Sequence, residues 1–152
     1  MTQTLANQQR KGNMSKQTKA KPRKPAKSKT LGNIVWFEIP AENLGRAKKF
    51  YASLLGWKIK PFPSMPDYSH IDTGGPDASP DGGLMKRKFP EHKGITNYVH
   101  VDSVDKSAAK VEKLGGKICM PKTAVPQMGY FVVCQDTEEN TFALWEMNAK
   151  AS

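Results

Sequence analysis

The chain carries the same order of structural signals twice, about 60 residues apart, and that repeat constrains its fold more than any other feature. Phe37-Glu38-Ile39 aligns with Val99-His100-Val101, and Leu55-Gly56-Trp57-Lys58-Ile59 aligns with Leu114-Gly115-Gly116-Lys117-Ile118. Between these anchors the first copy is three residues longer, a difference assigned to the loop before its helix. Each copy reads strand, helix, strand, strand, strand. A βαβββ unit has one apolar sheet face and covers it with its helix, so two tandem units predict an α+β fold. Their strands form a curled mixed sheet around a central cup, with the helices outside.

Local signals place the elements. Residues 34–39 (IVWFEI) are β-branched and aromatic and read as a strand ended by Pro40. Asn43 caps a helix over 44–55, in which Leu44, Ala47, Phe50, Tyr51, Leu54 and Leu55 recur at helical spacing, and Gly56 closes it. Strands follow at 57–60, 68–72 and 82–88, separated by turn residues Pro61, Pro63 and Pro66 and by a loop over 74–81 that is placed to act as a lid. The second copy has strands at 96–101, 117–120, 130–135 and 141–147, a helix over 104–114, and a tight turn at 136–140. Gly74-Gly75 and Gly82-Gly83 lack the following helix that a phosphate cradle needs and read as turns.

Charge divides the chain into a tail, 1–30, and a domain, 31–148. The net charge is +10, yet nine of the 24 Lys and Arg residues and none of the 14 acidic ones lie in 1–30. The domain is therefore near neutral and offers no basic footprint for nucleic acid. The tail has no aromatic residue and no β-branched residue except threonine, a composition that predicts disorder. Its Lys- and Pro-rich run 19–29 is either a solvated extension or a basic arm for weak contact with nucleic acid or an acidic partner. Met14 is an alternative start. No secretory signal or membrane-length apolar run is present, and Cys119 and Cys134, both in apolar strands, read as buried free thiols of a cytoplasmic protein.

Taken together, several phrases resemble the vicinal oxygen chelate superfamily, which groups glyoxalases, bleomycin resistance proteins and dioxygenases. They are Trp36-Phe37-Glu38-Ile39-Pro40-Ala41, Ala47-Lys48-Lys49-Phe50-Tyr51 with Leu55-Gly56-Trp57, Tyr98-Val99-His100-Val101-Asp102-Ser103-Val104, and Asp136-Thr137-Glu138-Glu139-Asn140-Thr141-Phe142-Ala143-Leu144-Trp145-Glu146. The resemblance is to small glyoxalase-like members of this group. One departure is Glu139, where the family turn has glycine and where a side chain implies backbone strain. In metal-dependent members four strands each give one ligand to the cup. By resemblance those positions are Trp36, Met85, Thr96 and Ala143, none of them a usual metal ligand. No metal or cofactor is expected, and the metal-based chemistry of the family is not carried over.

Strand alternation then lines the cup with Trp36, Met85, Thr96, Tyr98, Ala143 and Trp145, and with the polar Glu38, Arg87 and His100. The same aromatics suit either a pocket for an organic ligand or a solid core. Glu38 and His100, aligned in the repeat, are candidates for a carboxylate–imidazole pair, catalytic or structural. His70 and His92 read as solvent-facing. The expectation is a small-molecule-binding protein without metal, similar to the bleomycin resistance branch, and homodimeric by resemblance. The alternative is an enzyme of lyase, isomerase or dioxygenase type using Glu38 and His100 or an unrecognised metal site.

Overall fold

The computed structural model describes residues 32–76 and 79–152. The expectations for residues 1–30, and residues 77–78 of the loop read as a lid, lie outside the described residues. Ten elements follow in order: β1 (Ile34–Ala41), α1 (Leu44–Leu55), β2 (Lys58–Phe62), β3 (Met65–Asp72), β4 (Asp81–Lys86), β5 (Thr96–His100), α2 (Val104–Lys113), β6 (Lys117–Val125), β7 (Gly129–Gln135) and β8 (Thr141–Met147). The eight strands form one curled mixed sheet in the order β2-β3-β4-β1-β5-β8-β7-β6. The two expected βαβββ modules meet where β1 runs antiparallel to β5. In each module the last strand returns parallel to the first, β4 beside β1 and β8 beside β5.

Each helix forms where its cap and apolar stripe say it should. Asn43 accepts a hydrogen bond from the Arg46 amide at 2.8 Å, and Gly56 ends α1 in the left-handed region. Ser103 caps α2 in the same way through the Lys106 amide, while the Glu146 carboxylate takes the Val104 amide at 2.9 Å. Both helices pack on the same side of the sheet. Ile39, Ala41, Ile59, Ile71 and Leu84 form a core under α1 with Phe37, Tyr51 and Trp57, and Val104, Val132, Cys134 and Leu144 form one under α2. Among the described residues no helix is long and apolar enough to cross a membrane.

Four differences from the sequence reading have physical causes. β1 continues through Pro40 to Ala41, because beyond Glu38 it is paired only on its β4 side, and a half-paired strand end tolerates a residue without an N–H. Gly82 and Gly83 are buried strand residues of β4, not turns. Phe50, Leu54 and Leu55 stay exposed, since only Leu44, Ala47 and Tyr51 reach the sheet. Cys134 is buried as expected, whereas Cys119 is exposed on edge strand β6, where the ladder is irregular between Ile118 and Met120. The left-handed backbone expected at Glu139 is present, with φ of 64°.

The internal symmetry corrects the repeat alignment. Trp36 pairs with Asp81 and Tyr98 pairs with Ala143, the same offset in each module. The two N-caps, Asn43 and Ser103, fall 60 positions apart. On this register Glu38 corresponds to Tyr98, not to His100. Glu38 and Tyr98 then stand equally far from their N-caps, and most of the apparent three-residue difference disappears.

Candidate functional site

The face of the sheet away from the helices carries the cup. Ile39, Ile71, Leu84, Val132 and Leu144 point to the helices, so their alternate neighbours point the other way. This gives Trp36 and Glu38 on β1, Tyr68 and His70 on β3, Asp81, Gly83 and Met85 on β4, and Thr96, Tyr98 and His100 on β5. Ala143 and Trp145 on β8 and Phe131 on β7 complete the lining. Thr96 and Ala143 are buried, but the large side chains Trp36, Tyr68, Met85, Tyr98, Phe131 and Trp145 are only half-buried.

Glu38 is the centre of a hydrogen-bonded network. Tyr68 donates to its Oε1 and Tyr98 to its Oε2, both at 2.8 Å, and the Trp36 Nε1 donates to the Tyr68 hydroxyl at 3.0 Å. Burial, and then the negative charge of Glu38, hold both phenols well above the usual tyrosine range. They therefore remain donors throughout ordinary pH. The network joins the modules, since Glu38 and Tyr68 belong to the first and Tyr98 to the second.

Tyr68 reaches Glu38 only because position 83 is glycine. A Cβ there would overlap the Tyr68 hydroxyl and ring carbon. Pairing of β3 with β4 and of β7 with β8 makes Phe131 the counterpart of Tyr68, and the Phe131 ring meets Tyr98 edge-on at 6.0 Å. The floor is thus built twice: Tyr68 over Gly83 against Glu38, and Phe131 against Tyr98. Gly83→Ala is expected to push Tyr68 out and cost about 1–3 kcal/mol, by loss of hydrogen bonds to a charged group. The same substitution in a Tyr68→Ala background is expected to be nearly silent in thermal melts, and equal costs in both backgrounds would refute the steric account.

The expected Glu38–His100 pair does not form. Thr96 lies opposite Glu38 on β5, and His100 is four residues further along, about 13 Å at strand spacing. A carboxylate–imidazole pair does exist elsewhere in the cup. His70 Nε2 lies 3.2 Å from Asp81 Oδ2, and the imidazole stacks on Trp36 with centroids 5.4 Å apart. The His70 side chain keeps 38% of its surface exposed, in line with a solvent-facing residue, yet it lies on the cup face of β3, between β2 and β4. Met85 was placed at the second ligand position; the symmetry gives that position to Gly83, the counterpart of Ala143. Arg87 lies just past β4, half-buried, its Nε without a partner. Trp145 pairs with both His100 and Phe131 across the sheet.

Comparison with known proteins fits this architecture. The Bleomycin resistance protein-like N-terminal family matches residues 33–74. A glyoxylase-like domain-containing protein of Didymella fabae is 32% identical over 123 residues, covering 74% of this chain and 92% of that one. The chain belongs to the glyoxalase/bleomycin resistance/dioxygenase superfamily. A superfamily member from Vibrio splendidus 12B01 has the same fold at 15% identity, with a TM-score of 0.56 over 78% of this chain and 100% of its own. The Mn(II)-bound glyoxalase from Novosphingobium aromaticivorans superposes with a TM-score of 0.55 at 19% identity, covering 80% of this chain and 42% of that one.

Superfamily membership raises the question of a metal, and the donor set answers it. The four positions that the resemblance and the repeat symmetry assign to ligands hold an indole (Trp36), no side chain (Gly83), a hydroxyl (Thr96) and a methyl (Ala143). Divalent cations of this chemistry need carboxylate, imidazole or thiolate donors, and Tyr68 covers the space beside Gly83 where a ligand side chain would begin. Among the described residues no group of three or more His, Cys, Asp or Glu is placed to hold a metal ion. The residues do not fit a resident metal.

Proposed function

We propose that this superfamily member binds a small organic ligand in its cup without a metal ion. One observation carries the reading: the large aromatic side chains of the cup are half-buried around a polar, hydrogen-bonded floor, whereas a filled core would bury them. Aromatic walls with a few convergent polar groups suit a ligand with an apolar body. Trp36, Met85, Tyr98 and Trp145 supply walls, Glu38 and Thr96 the floor, Ala143 leaves room, and Arg87 and His100 lie toward opposite ends.

The test is metal analysis combined with calorimetry. Protein dialysed against EDTA is expected to retain no stoichiometric metal and to bind a neutral aromatic probe, 2-naphthylmethanol, as it did before dialysis. Stoichiometric Zn, Ni, Mn or Fe, or probe binding that is lost with EDTA and restored by metal, would overturn metal independence.

A second reading, proton-transfer catalysis, is favoured by one observation, the His70–Asp81 pair beside Trp36. A carboxylate orients an imidazole for general acid–base work, and this pair replaces Glu38–His100 in that role. The cytoplasmic setting belongs to the proposal and is supported by the two free thiols. So does the homodimer, supported by the exposed Phe50 and Leu54 on α1.

A further inference from the structure

The hydrogen-bond directions on the cup floor limit what charge a ligand can bring there. The Trp36 N–H is committed to Tyr68, and the Tyr68 and Tyr98 hydroxyls are committed to the two oxygens of Glu38. Three donors of the floor are therefore spent inside the protein. What faces the cup is acceptor capacity: the remaining lone pairs of the carboxylate and of the two phenolic oxygens. Thr96, opposite Glu38, adds a hydroxyl that donates and accepts and so discriminates neither way. A carboxylate, phosphate or enolate seated on this floor would find only the Thr96 hydroxyl as an uncommitted floor donor and would meet the charge of Glu38. A cation meets a charge, lone pairs and aromatic rings.

The positive groups on the same face lie at the rim. Lys58 and Lys60 are exposed on β2, an edge strand three strand spacings from Glu38, about 14 Å away. Arg87, just past the end of β4, is four residues from Gly83, a backbone separation of about 13 Å. His70 is already paired with Asp81, whose other oxygen accepts from the Thr73 amide.

We propose that the cup selects a ligand bearing a protonated amine on an aromatic or apolar body, with the ammonium set at Glu38 beside Trp36, Tyr68 and Tyr98. This rests on the cup-binding reading above and adds the charge class of the ligand. The committed donors make the selectivity directional: Trp36, Tyr68 and Tyr98 satisfy one another and Glu38 and keep no N–H or O–H of their own for an anion.

Three probes of one shape test it by calorimetry: 2-naphthylmethylammonium, 2-naphthylmethanol and 2-naphthoate. The ammonium is expected to bind at least tenfold more tightly than the alcohol, with the naphthoate weakest. In Glu38→Gln, checked for native circular dichroism, the ammonium is expected to lose its tenfold advantage over the alcohol measured on the same variant. Naphthoate binding tightest, or ammonium and alcohol binding equally to the wild-type protein, would overturn the charge preference while leaving cup binding intact. Absence of binding by all three would overturn cup binding itself, and this inference with it. The wild-type ranking decides the question even where the variant does not fold.

Discussion

Replacement of Glu38 by alanine is expected to destabilise the protein by about 3 kcal/mol and to lower its melting midpoint by about 10 °C. The carboxylate accepts two hydroxyl bonds at 2.8 Å, and hydrogen bonds to a charged group are each worth about 1.5–3 kcal/mol. The half-buried phenols recover part of this by turning to water, so the loss stays below the sum. A double-mutant cycle with Tyr68→Phe and Tyr98→Phe separates the network from the packing of Glu38 itself: once both hydroxyls are gone, removing the carboxylate is expected to cost much less. A loss below about 0.5 kcal/mol, ordinary for a surface position, would show that the network does not hold the modules together.

The parts of the fold that were legible in the sequence are those set by local chemistry. Asn43 and Gly56 delimit α1 because one side chain caps an amide and one residue accepts a left-handed backbone, and both facts are visible without the rest of the chain. The repeat revealed two modules because each must bury one sheet face under one helix. The repeat alignment failed by two residues because it matched apolar triplets, Phe37-Glu38-Ile39 with Val99-His100-Val101, and alternating strands match equally well at any even shift. The N-caps carry no such degeneracy. Aligning Asn43 with Ser103 would have paired Glu38 with Tyr98, its hydrogen-bond partner.

The site was half legible for a related reason. Trp36, Glu38 and Tyr98 lie on the two central strands, whose cup face follows from alternation within each strand. Tyr68, His70 and Asp81 were missed because their place depends on β3 pairing with β4, a contact between segments joined by a loop. A signal was present: Ile71 is the apolar residue of 68–72 that must face a helix, which turns Tyr68, His70 and Asp72 to the cup. Gly83 was read as a turn residue because glycine is common in turns. In a strand it marks the close approach of another group, here the phenol of Tyr68.

Above pH 10 the protein is expected to lose stability steeply, by up to about 2.7 kcal/mol per pH unit from Tyr68 and Tyr98 together. In the unfolded chain both phenols ionise near their ordinary value of 10.0, while in the folded protein burial and the charge of Glu38 keep them protonated well beyond it. The folded state then holds two more protons than the unfolded state, so stability falls as pH rises, at about 1.4 kcal/mol per unit for each phenol. Below pH 10 both states are protonated and the phenols contribute no slope. Other groups add an alkaline background, among them Lys122, which Asp105 holds above the usual lysine range. Urea denaturation of the wild type and of Tyr68→Phe/Tyr98→Phe between pH 9 and pH 11.5 subtracts that background. The double variant is expected to be the less stable protein at pH 8, having lost its bonds to Glu38, and to show the flatter decline above pH 10. Equal slopes in the two proteins would mean that the phenols ionise in the folded state, which a hydroxyl committed to a carboxylate on a half-buried floor does not permit.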